Sequence, residues 1–323
     1  MSHDRVSVDV VICTYDNAAS LDLVLQSLRA QRGDGGVDWG TLVVDNNAGR
    51  DTAAVLQRHL AAGGLSLRVV REAQQGLTPA RLRGVRQTSG EWIAFVDDDC
   101  LLAEDWIARV GTAARAHPDA GGIGGEVVLA WDGPPPPHVS RYGWAYAEQR
   151  HGAQSHPVSC LVGAGFVLRR AALQQTGWTE RQFLADRLGA QLVSGGDVEI
   201  ALRLGAHHEL WYEPGMRIRH RLPLHRSSPQ HLARLARGLG SAKLLGDAMV
   251  GPVSGRRRIA RWVRDCALLV RGVVRAIRHR RRVDLMVELA FLRGWLAGLR
   301  HLQRMQRNDR RALTGCARPL NRG

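Results

Sequence analysis

Three consecutive aspartates, Asp97, Asp98 and Asp99, close an apolar stretch that begins at residue 91. Adjacent carboxylates that are partly withdrawn from water raise one another's pKa, and a divalent cation relieves this repulsion. Carboxylate oxygens suit Mg²⁺ or Mn²⁺, and Mg²⁺ is usually bound by one or two carboxylates together with substrate phosphates. The alternative is a solvated acidic turn. The triplet therefore raises the hypothesis of a metal and nucleotide site at the end of a strand.

The segments before the triplet alternate between strand and helix patterns. Apolar, β-branched stretches predict strands at residues 6–13, 41–44, 66–70 and 91–100. Between them, helices are predicted from Ser20, from Asp51 to about residue 59, and after Thr78 as N-cap with Pro79 at the first helical position. This alternation predicts an α/β fold with right-handed βαβ units and a mostly parallel sheet.

Polar residues follow three of these predicted strands. They are Thr14 to Asp16 after the first strand, Asp45 after the second, and the aspartate triplet after the fourth. In parallel α/β sheets, ligands bind outside the carboxyl ends of the strands. We therefore expect the three polar clusters to meet in one crevice.

Six segments in this order resemble the inverting family 2 glycosyltransferases, which have the GT-A fold. Those similar to the nucleotide-binding half are VVICTYDN, VVDNNAGRDT and QGLTPARLRGVRQTSGEWIAFVDDDC, and those similar to the acceptor side are GAGFVLRRAALQQTGWTE, GGDVEIALR and ELWYEPGMRIRH. The resemblance covers residues 8–220, about two thirds of the chain. It implies transfer of a sugar from a UDP-, GDP- or dTDP-sugar to a glycan or lipid-linked acceptor, with Mn²⁺ or Mg²⁺ as cofactor.

Carried over by motif, the resemblance implies a role for each matching residue. The donor would be held by Thr14, Tyr15, Asp16, Asp45, Arg81, Asp97 and Asp98. Asp97 and Asp99 match the two acids of the DxD motif, with Asp99 as the metal ligand and His220 completing the metal shell. Arg81 would lie near the diphosphate. Its alternative is a solvated charge on a helix, and that of His220 is a solvated surface histidine.

The resemblance also implies roles for three residues on the acceptor side. Asp197 matches the general base, which would take a proton from the acceptor hydroxyl, and Gly196 stands where the family has a glutamate. Trp178 matches an aromatic position beside the acceptor sugar. The alternatives are that Asp197 only caps a helix and that Trp178 only fills the core.

The positive charge belongs to the C-terminal region. The chain has a net charge of +15, and its last 68 residues contain 19 arginines against four acids. Helices are predicted at residues 229–247, from residue 259 and at residues 284–305, with arginines opposite the apolar positions. Basic amphipathic helices of this kind suit an anionic membrane surface. The alternative is a helical hairpin that packs on the catalytic domain or on a second subunit as a homodimer.

We expect two regions: a GT-A domain over residues 1–226, with a donor half at 1–120 and an acceptor half at 121–226, and a helical extension over residues 227–323. The five cysteines lack CxxC spacing, which argues against a disulfide framework or a zinc site and fits a reducing cytosol. The first residues lack a secretory signal pattern, and no window offers about 18 apolar residues.

We therefore expect an enzyme of polysaccharide biosynthesis that is cytoplasmic and peripherally bound to the inner face of the membrane. The alternative among enzymes is a nucleotidyl-sugar transferase that acts on a soluble or protein acceptor. Among other classes, one alternative is a catalytically silent GT-A scaffold. The other is a basic nucleic-acid-binding protein, which is disfavoured because the sequence shows no RNP, zinc or helix-turn-helix signature.

Overall fold

The computed structural model describes residues 5–184, 195–251 and 255–317, apart from the side chains of residues 255–262, 266 and 269. Strands and helices alternate over the first hundred residues: β1 (Val6–Thr14), α1 (Ala18–Arg29), β2 (Val37–Asp45), α2 (Arg50–Ala62), β3 (Leu67–Arg71), α3 (Leu77–Arg86) and β4 (Trp92–Asp97). These strands are parallel and lie in the order β3-β2-β1-β4. The four predicted strands and three predicted helices are confirmed.

Both faces of this sheet are covered by apolar side chains. In β1, Val10 and Ile12 join one core cluster and Val11 joins the other; in β4, Val96 and Phe95 divide in the same way. A strand buried on two faces has no polar side to alternate with its apolar one. This explains why β1 and β4 are nearly continuous apolar stretches in the sequence.

The start of α3 differs from the prediction. Its N-cap is Gly76, with φ 134° and ψ 153°, and not Thr78. A glycine is suited to this position because a residue with a side chain rarely adopts such a positive φ. Pro79 is the third residue of the helix, where the missing N–H removes no hydrogen bond, since the N–H groups of the first turn have no partner within the helix.

The second half extends the sheet. Its elements are β5 (Cys100–Leu102), α4 (Trp106–Ala116), β6 (Gly122–Trp131), β7 (His156–Val158), β8 (Val167–Arg169), α5 (Arg170–Gln175), α6 (Gly196–His207) and β9 (Leu210–Leu222), with 3-10 helices at Val139–Arg141, Gly143–Tyr146 and Leu224–Ser227. The described residues form a nine-stranded sheet in the order β3-β2-β1-β4-β8-β6-β9-β5, with β7 paired to β9. The predicted mostly parallel α/β class is confirmed, and β8 is the antiparallel strand that joins the two halves.

The C-terminal region is helical, as predicted, with α7 (Pro229–Val250), α8 (Gly255–Arg278), α9 (Arg282–Arg304) and α10 (Arg307–Leu313). Helices α7 and α9 touch backbone to backbone. A Cβ built on Gly294 would lie 1.8 Å from the carbonyl oxygen of Arg237, and one on Gly240 would lie 2.2 Å from that of Phe291. The glycines therefore set the distance between these two helices.

The helical region packs on the rest of the protein through two apolar clusters, of which the second joins α7 and α10 to α6. In the first cluster, Tyr146 of the second 3-10 helix and Tyr142, the residue before that helix, pack with Leu235 of α7 and Val287 of α9. Within the described residues, no helix combines the length and the hydropathy that a membrane crossing requires. The predicted division into residues 1–226 and 227–323 stays a prediction.

Candidate active site

The strand register brings the predicted polar clusters to one edge of the sheet. Thr14, the last residue of β1, is paired with Asp45 at the end of β2, and Cys13 is paired with Asp97 at the end of β4. A cavity of about 320 Å³ opens at this edge. Six of the predicted donor and metal residues line it: Thr14, Tyr15, Asp16, Asp97, Asp98 and Asp99.

Asp98 joins the end of β4 to the end of β1. Its Oδ2 accepts a hydrogen bond from Thr14 Oγ1 at 2.7 Å, and its Oδ1 accepts one from Asn17 Nδ2 at 2.8 Å. Burial raises the pKa of Asp98 to about 7, and the charges of Asp99 and Asp97 act in the same direction. The carboxylate of Asp98 is therefore held by two hydrogen bonds from the protein. Asp97 lies beside Arg81 and Asp99 beside His220.

Asp99 lies beside His220 because β5 pairs with β9, which places Cys100 opposite His220. His220 donates its Nδ1–H to the backbone oxygen of Tyr146 at 2.9 Å, so a neutral ring turns its unprotonated Nε2 toward Asp99 Oδ1 at 3.4 Å. Two acceptors at this distance call for a cation, or a proton on Nε2, between them. A histidine whose other ring nitrogen donates to a backbone carbonyl is typical of metal ligands.

The donor set of this cluster fits a hard divalent cation. Ligand atoms of Asp99, Cys100 and His220 all lie within 4.8 Å of one another. Burial raises the pKa of the Cys100 thiol well above its usual value, and the neighbouring aspartates raise it further. Because hard divalent cations prefer oxygen and imidazole ligands to a soft thiolate, Asp99 and His220 are the residues of this cluster that fit Mn²⁺ or Mg²⁺.

Arg226 is a site residue that the sequence did not reveal. It lies in the 3-10 helix after β9, and its Nη1 donates to Asp99 Oδ2 at 3.2 Å. It also lines the cavity. A guanidinium thus shares Asp99 with the imidazole of His220.

Arg81 is almost entirely buried, with 3% of its surface exposed. Its guanidinium carbon lies 5.9 Å from the ring centre of Phe95 and 5.5 Å from that of Phe166. Its Nη2 lies 4.0 Å from Asp97 Oδ1. This burial excludes the alternative of a solvated charge on a helix surface. The arginine lies against a pair of aromatic rings and beside the first acid of the DxD pattern.

Asp197 is the second residue of α6, and its Oδ2 accepts a hydrogen bond from the N–H of Gly163 at 3.2 Å. A Cβ built on Gly163 would lie 2.9 Å from Arg81 Nη2 and 3.1 Å from Asp197 Oδ2. Gly163 therefore leaves the space in which Arg81 and Asp197 approach each other. Arg81 therefore lies near Asp197 from the acceptor side and near Asp97 from the donor side.

The two remaining acceptor-side residues are buried. Gly196 is the first residue of α6 and Trp178 has none of its surface exposed. The indole of Trp178 packs in the cluster that also contains Phe166 and Leu173. This burial favours the alternative in which Trp178 fills the core.

The predicted donor residues on the loops also hold backbone in place. Asp45 Oδ1 accepts from the N–H of Ala48 at 2.8 Å, and Asp16 Oδ1 accepts from the N–H of Gly49 at 2.9 Å. Tyr15 is 49% exposed at the cavity. The two aspartates therefore shape the loop between β2 and α2, and Tyr15 offers a ring face to a ligand.

Asn46 is a second residue that sequence reasoning missed as part of the site. Its Oδ1 accepts from the N–H of Gly76 at 2.7 Å, and its Nδ2 donates to the backbone oxygens of Glu72 and Gln74. It fixes the loop that leads into α3 and hence the helix that carries Arg81. Its position in the sequence directly after Asp45, at the end of β2, was the available signal.

A buried ion pair supports α6 behind the site. Glu199 and Arg203 are 0% and 3% exposed and are hydrogen-bonded to each other. Glu199 also accepts from the N–H groups of Phe183 and Leu184. The pair holds this segment against the helix that begins at Gly196.

Solved structures of similar fold include the mannosyltransferase PcManGT from Pyrobaculum calidifontis in complex with GDP-Man and Mn²⁺. It matches with a TM-score of 0.60 and 17% identity over 92% of this chain and 88% of that one. This likeness confirms the predicted GT-A fold.

Two curated relatives match by sequence. The succinoglycan biosynthesis protein ExoM of Rhizobium meliloti is 27% identical over 54% of this chain and 58% of its own length. The glucosyl-dolichyl phosphate glucuronosyltransferase of Haloferax volcanii is 22% identical over 47% of this chain and 49% of its own length. The chain thus spans about half the length of these relatives.

The family match covers the strands and loops that build the cavity. The model of glycosyl transferase family 2 matches residues 9–177, which include Thr14, Asp45, Arg81 and the aspartate triplet. This range is just over half of the chain. The chain therefore belongs to glycosyl transferase family 2, as the sequence motifs predict.

Proposed function

We propose that this protein is a metal-dependent, inverting glycosyltransferase that uses a nucleotide-sugar donor. The observation that carries the proposal is the placement of Arg81, which lies beside Asp97 and shares the space at Gly163 with Asp197. A transferase needs a stabilised diphosphate leaving group and a base for the acceptor hydroxyl on either side of one sugar. These three residues supply groups of that kind at one site.

On the donor side, the open cavity suits a nucleotide. Tyr15 offers an exposed ring for a base to stack on, and Thr14 and Asp16 line the cavity on the ribose side. Asp45 is paired with Thr14 at the same strand ends. Gly76 and Leu77 of the first turn of α3 line the same cavity. Because N–H groups at a helix start favour anions, this turn and Arg81 suit the diphosphate. PcManGT, solved with GDP-Man, supports a donor of this class.

Asp99 and His220 would hold the divalent cation, and the complex of PcManGT contains Mn²⁺. When bound there, such an ion supplies Lewis-acid stabilisation of the charge on the diphosphate. Arg81 adds fixed positive charge on the same side of the site.

Asp197 is proposed as the general base. It removes the proton of an acceptor hydroxyl while that oxygen forms a bond to the anomeric carbon, and the bond from that carbon to the diphosphate oxygen breaks with its electron pair. Attack from the face opposite the diphosphate inverts the anomeric centre. The N–H of Gly163 fixes the direction of the carboxylate.

The acceptor is proposed to be a glycan or a lipid-linked glycan at the cytoplasmic face of a membrane. The relative named glucosyl-dolichyl phosphate glucuronosyltransferase supports a lipid-linked acceptor, and ExoM supports a role in polysaccharide biosynthesis. Helix α8 supports membrane contact. Val263, Val270, Val274 and Ile277 are 56% to 60% exposed on one face of it, with arginines beside them. Each basic residue near an anionic surface contributes about 1 kcal/mol.

The test is thermal unfolding of the protein with UDP-, GDP- and dTDP-sugars, with and without Mn²⁺. A ligand that binds only the folded state raises the melting midpoint, so one nucleotide class should stabilise the protein, and more strongly with Mn²⁺. Asp99→Asn should remove the Mn²⁺ effect. No stabilisation by any nucleotide sugar, or a product with retained anomeric configuration, would contradict the proposal. A nucleotide that binds without any transfer would favour the silent scaffold.

A further inference from the structure

A second cavity of about 500 Å³ lies between the helical region and the 3-10 segment that follows β6. Its walls are mainly apolar and come from α8, α9 and the 3-10 helix Gly143–Tyr146; they include Trp144, Leu268, Phe291, Leu292, Trp295 and Leu296. This volume is within the range of ordinary ligand pockets. The cavity is separate from the donor cavity, since the two share no lining residue.

The rim of this cavity exposes large apolar side chains to water. Trp144 is 51% exposed, Leu268 is 56% exposed and Leu296 is 38% exposed. The charged groups among its lining include Lys243 and Asp265, which are paired with each other at 3.0 Å. A contiguous exposed apolar surface of this kind marks a binding site, and its composition calls for an apolar occupant.

The 3-10 helix that supplies Trp144 to the cavity wall also contacts the metal cluster through Tyr146, which is not itself in the wall. Tyr146 accepts from His220 Nδ1 through its backbone oxygen, and its hydroxyl donates to the backbone oxygen of Arg226 at 3.0 Å. Trp144 precedes Tyr146 by two residues in the same 3-10 helix, a backbone rise of about 4 Å. One short turn therefore separates the apolar cavity from the cluster around Asp99.

The outer face of α8 indicates where an apolar occupant comes from. Val263, Val270 and Val274 recur at spacings of seven and four residues, so they lie on one face. At 100° per residue, Leu268 lies about 140° around the helix from Val263. The same helix thus turns one apolar face to solvent, flanked by Arg264, Arg271 and other arginines, and places Leu268 in the cavity wall.

From this arrangement we infer that the cavity binds the hydrocarbon chain of a lipid-linked acceptor next to its phosphate. The inference rests on the proposed function, which supplies the acceptor hydroxyl at Asp197. The arginines of α8 match the anionic surface that holds such a lipid, and the cavity lies one turn from the metal cluster. The chain would occupy the cavity while the sugar reaches the site.

Two residues of α8 make a matched test. Leu268 in the cavity wall and Val274 on the outer face are both 56% exposed, so a glutamate at either position meets similar solvent. The full-length protein is titrated with farnesyl phosphate, a soluble lipid phosphate, and followed by tryptophan fluorescence because Trp144 and Trp295 line the cavity. Leu268→Glu should weaken binding at least about tenfold, and Val274→Glu should change it by less than about twofold.

Flotation with vesicles of phosphatidylcholine and phosphatidylglycerol should show the reverse order, because Val274→Glu should weaken binding to the vesicles more than Leu268→Glu does. Leu296→Glu on α9 is a second cavity variant and should behave as Leu268→Glu. Equal effects of Leu268→Glu and Val274→Glu on farnesyl phosphate, or full competition by inorganic phosphate, would overturn the cavity assignment. The assignment would also be overturned if the protein lost farnesyl phosphate binding only when a dimer dissociates.

Melting with the nucleotide sugar and Mn²⁺ separates the two proposals. All three variants should keep the donor-induced rise of the melting midpoint, which also shows that they are folded. If this rise is present but wild-type protein does not bind farnesyl phosphate, the cavity inference fails and the proposed function stands. If farnesyl phosphate binds with the expected variant pattern but no nucleotide sugar does, the proposed function fails.

Discussion

Arg226 and Asp99 form an ion pair at 3.2 Å, in which the guanidinium occupies one carboxylate oxygen while His220 faces the other. A divalent cation on Asp99 must compete with this guanidinium for the same negative charge. Arg226 is contributed by the turn after β9, so this turn responds to what Asp99 binds. The pair therefore predicts a link between metal binding and the position of Arg226.

Replacing Arg226 by alanine should make Mn²⁺ bind more tightly. Hydrogen bonds to charged groups contribute about 1.5 to 3 kcal/mol, and part of this is recovered when the competitor is removed, so we expect roughly a tenfold lower Mn²⁺ concentration for half-maximal stabilisation. The measurement is the melting midpoint against Mn²⁺ concentration. Arg219→Ala, which changes an exposed arginine on β9, is the control and should leave this concentration unchanged. Weaker Mn²⁺ binding in Arg226→Ala would contradict the competition.

Asp197→Asn should abolish most transfer and preserve nucleotide binding. The amide oxygen of asparagine still accepts from the N–H of Gly163, so the loop stays in place, but the residue no longer takes a proton. General-base contributions are typically about 10² to 10⁴ in rate. Transfer rate and nucleotide affinity are measured on the same preparation, with Asp105→Asn at the start of α4 as control. Equal losses in both would show that Asp197 serves the fold.

His220→Ala tests whether the imidazole beside Asp99 is a metal ligand. Removing the imidazole beside Asp99 Oδ1 leaves Asp99 with Arg226, so the protein should fold, but Mn²⁺ should no longer add to the stabilisation by the nucleotide sugar. Loss of a residue that only orients a metal ligand costs on the order of 10- to 100-fold in metal affinity, so loss of a ligand should cost at least as much. Melting with nucleotide sugar and EDTA on wild-type protein supplies the matching baseline. A full Mn²⁺ response in His220→Ala would exclude this residue as a ligand.

The sequence predicts the parts of the site that follow strand ends. Asp45 and the triplet directly succeed apolar strands, and parallel pairing brings such ends together without further information. Arg226 could not be found in this way, because it is 127 residues from Asp99 and depends on the antiparallel pairing of β5 with β9. Trp178 shows a related limit, since a glycine and an aromatic residue are compatible with a sugar platform and with a core position, and only packing decides.

A separate prediction concerns acid stability. The pKa of Asp22 on α1 is lowered mainly by the hydrogen bond from His59, with Arg58 adding to the effect. The carboxyl stays deprotonated to a lower pH in the folded protein than in the unfolded chain. Its contribution to the free energy of unfolding is therefore complete above a pH of about 5 and is lost as the pH falls through the pKa of the folded state.

Asp22→Asn should therefore lower the free energy of unfolding by about 1 kcal/mol at neutral pH, a value reduced by the partial exposure of the carboxylate. The difference from wild type should shrink below a pH of about 4. Urea unfolding at a series of pH values measures it. A difference that stays constant down to acid pH would mean that the asparagine costs stability through packing and not through charge.

The last prediction compares the effect on stability of adding a methyl group at two helical glycines, Gly294 on α9 and Gly205 on α6. A methyl group on Gly294 would lie 1.8 Å from the carbonyl oxygen of Arg237, so α7 and α9 must move apart in Gly294→Ala. Overpacking of this kind costs about 1 to 3 kcal/mol. Among the described residues, a Cβ on Gly205 near the end of α6 would contact only Leu210, with its Cδ1 at 3.5 Å, so Gly205→Ala should gain up to about 1 kcal/mol from helix propensity. Opposite shifts in denaturant midpoint are expected, and stabilisation by both would mean that α7 and α9 have room between them.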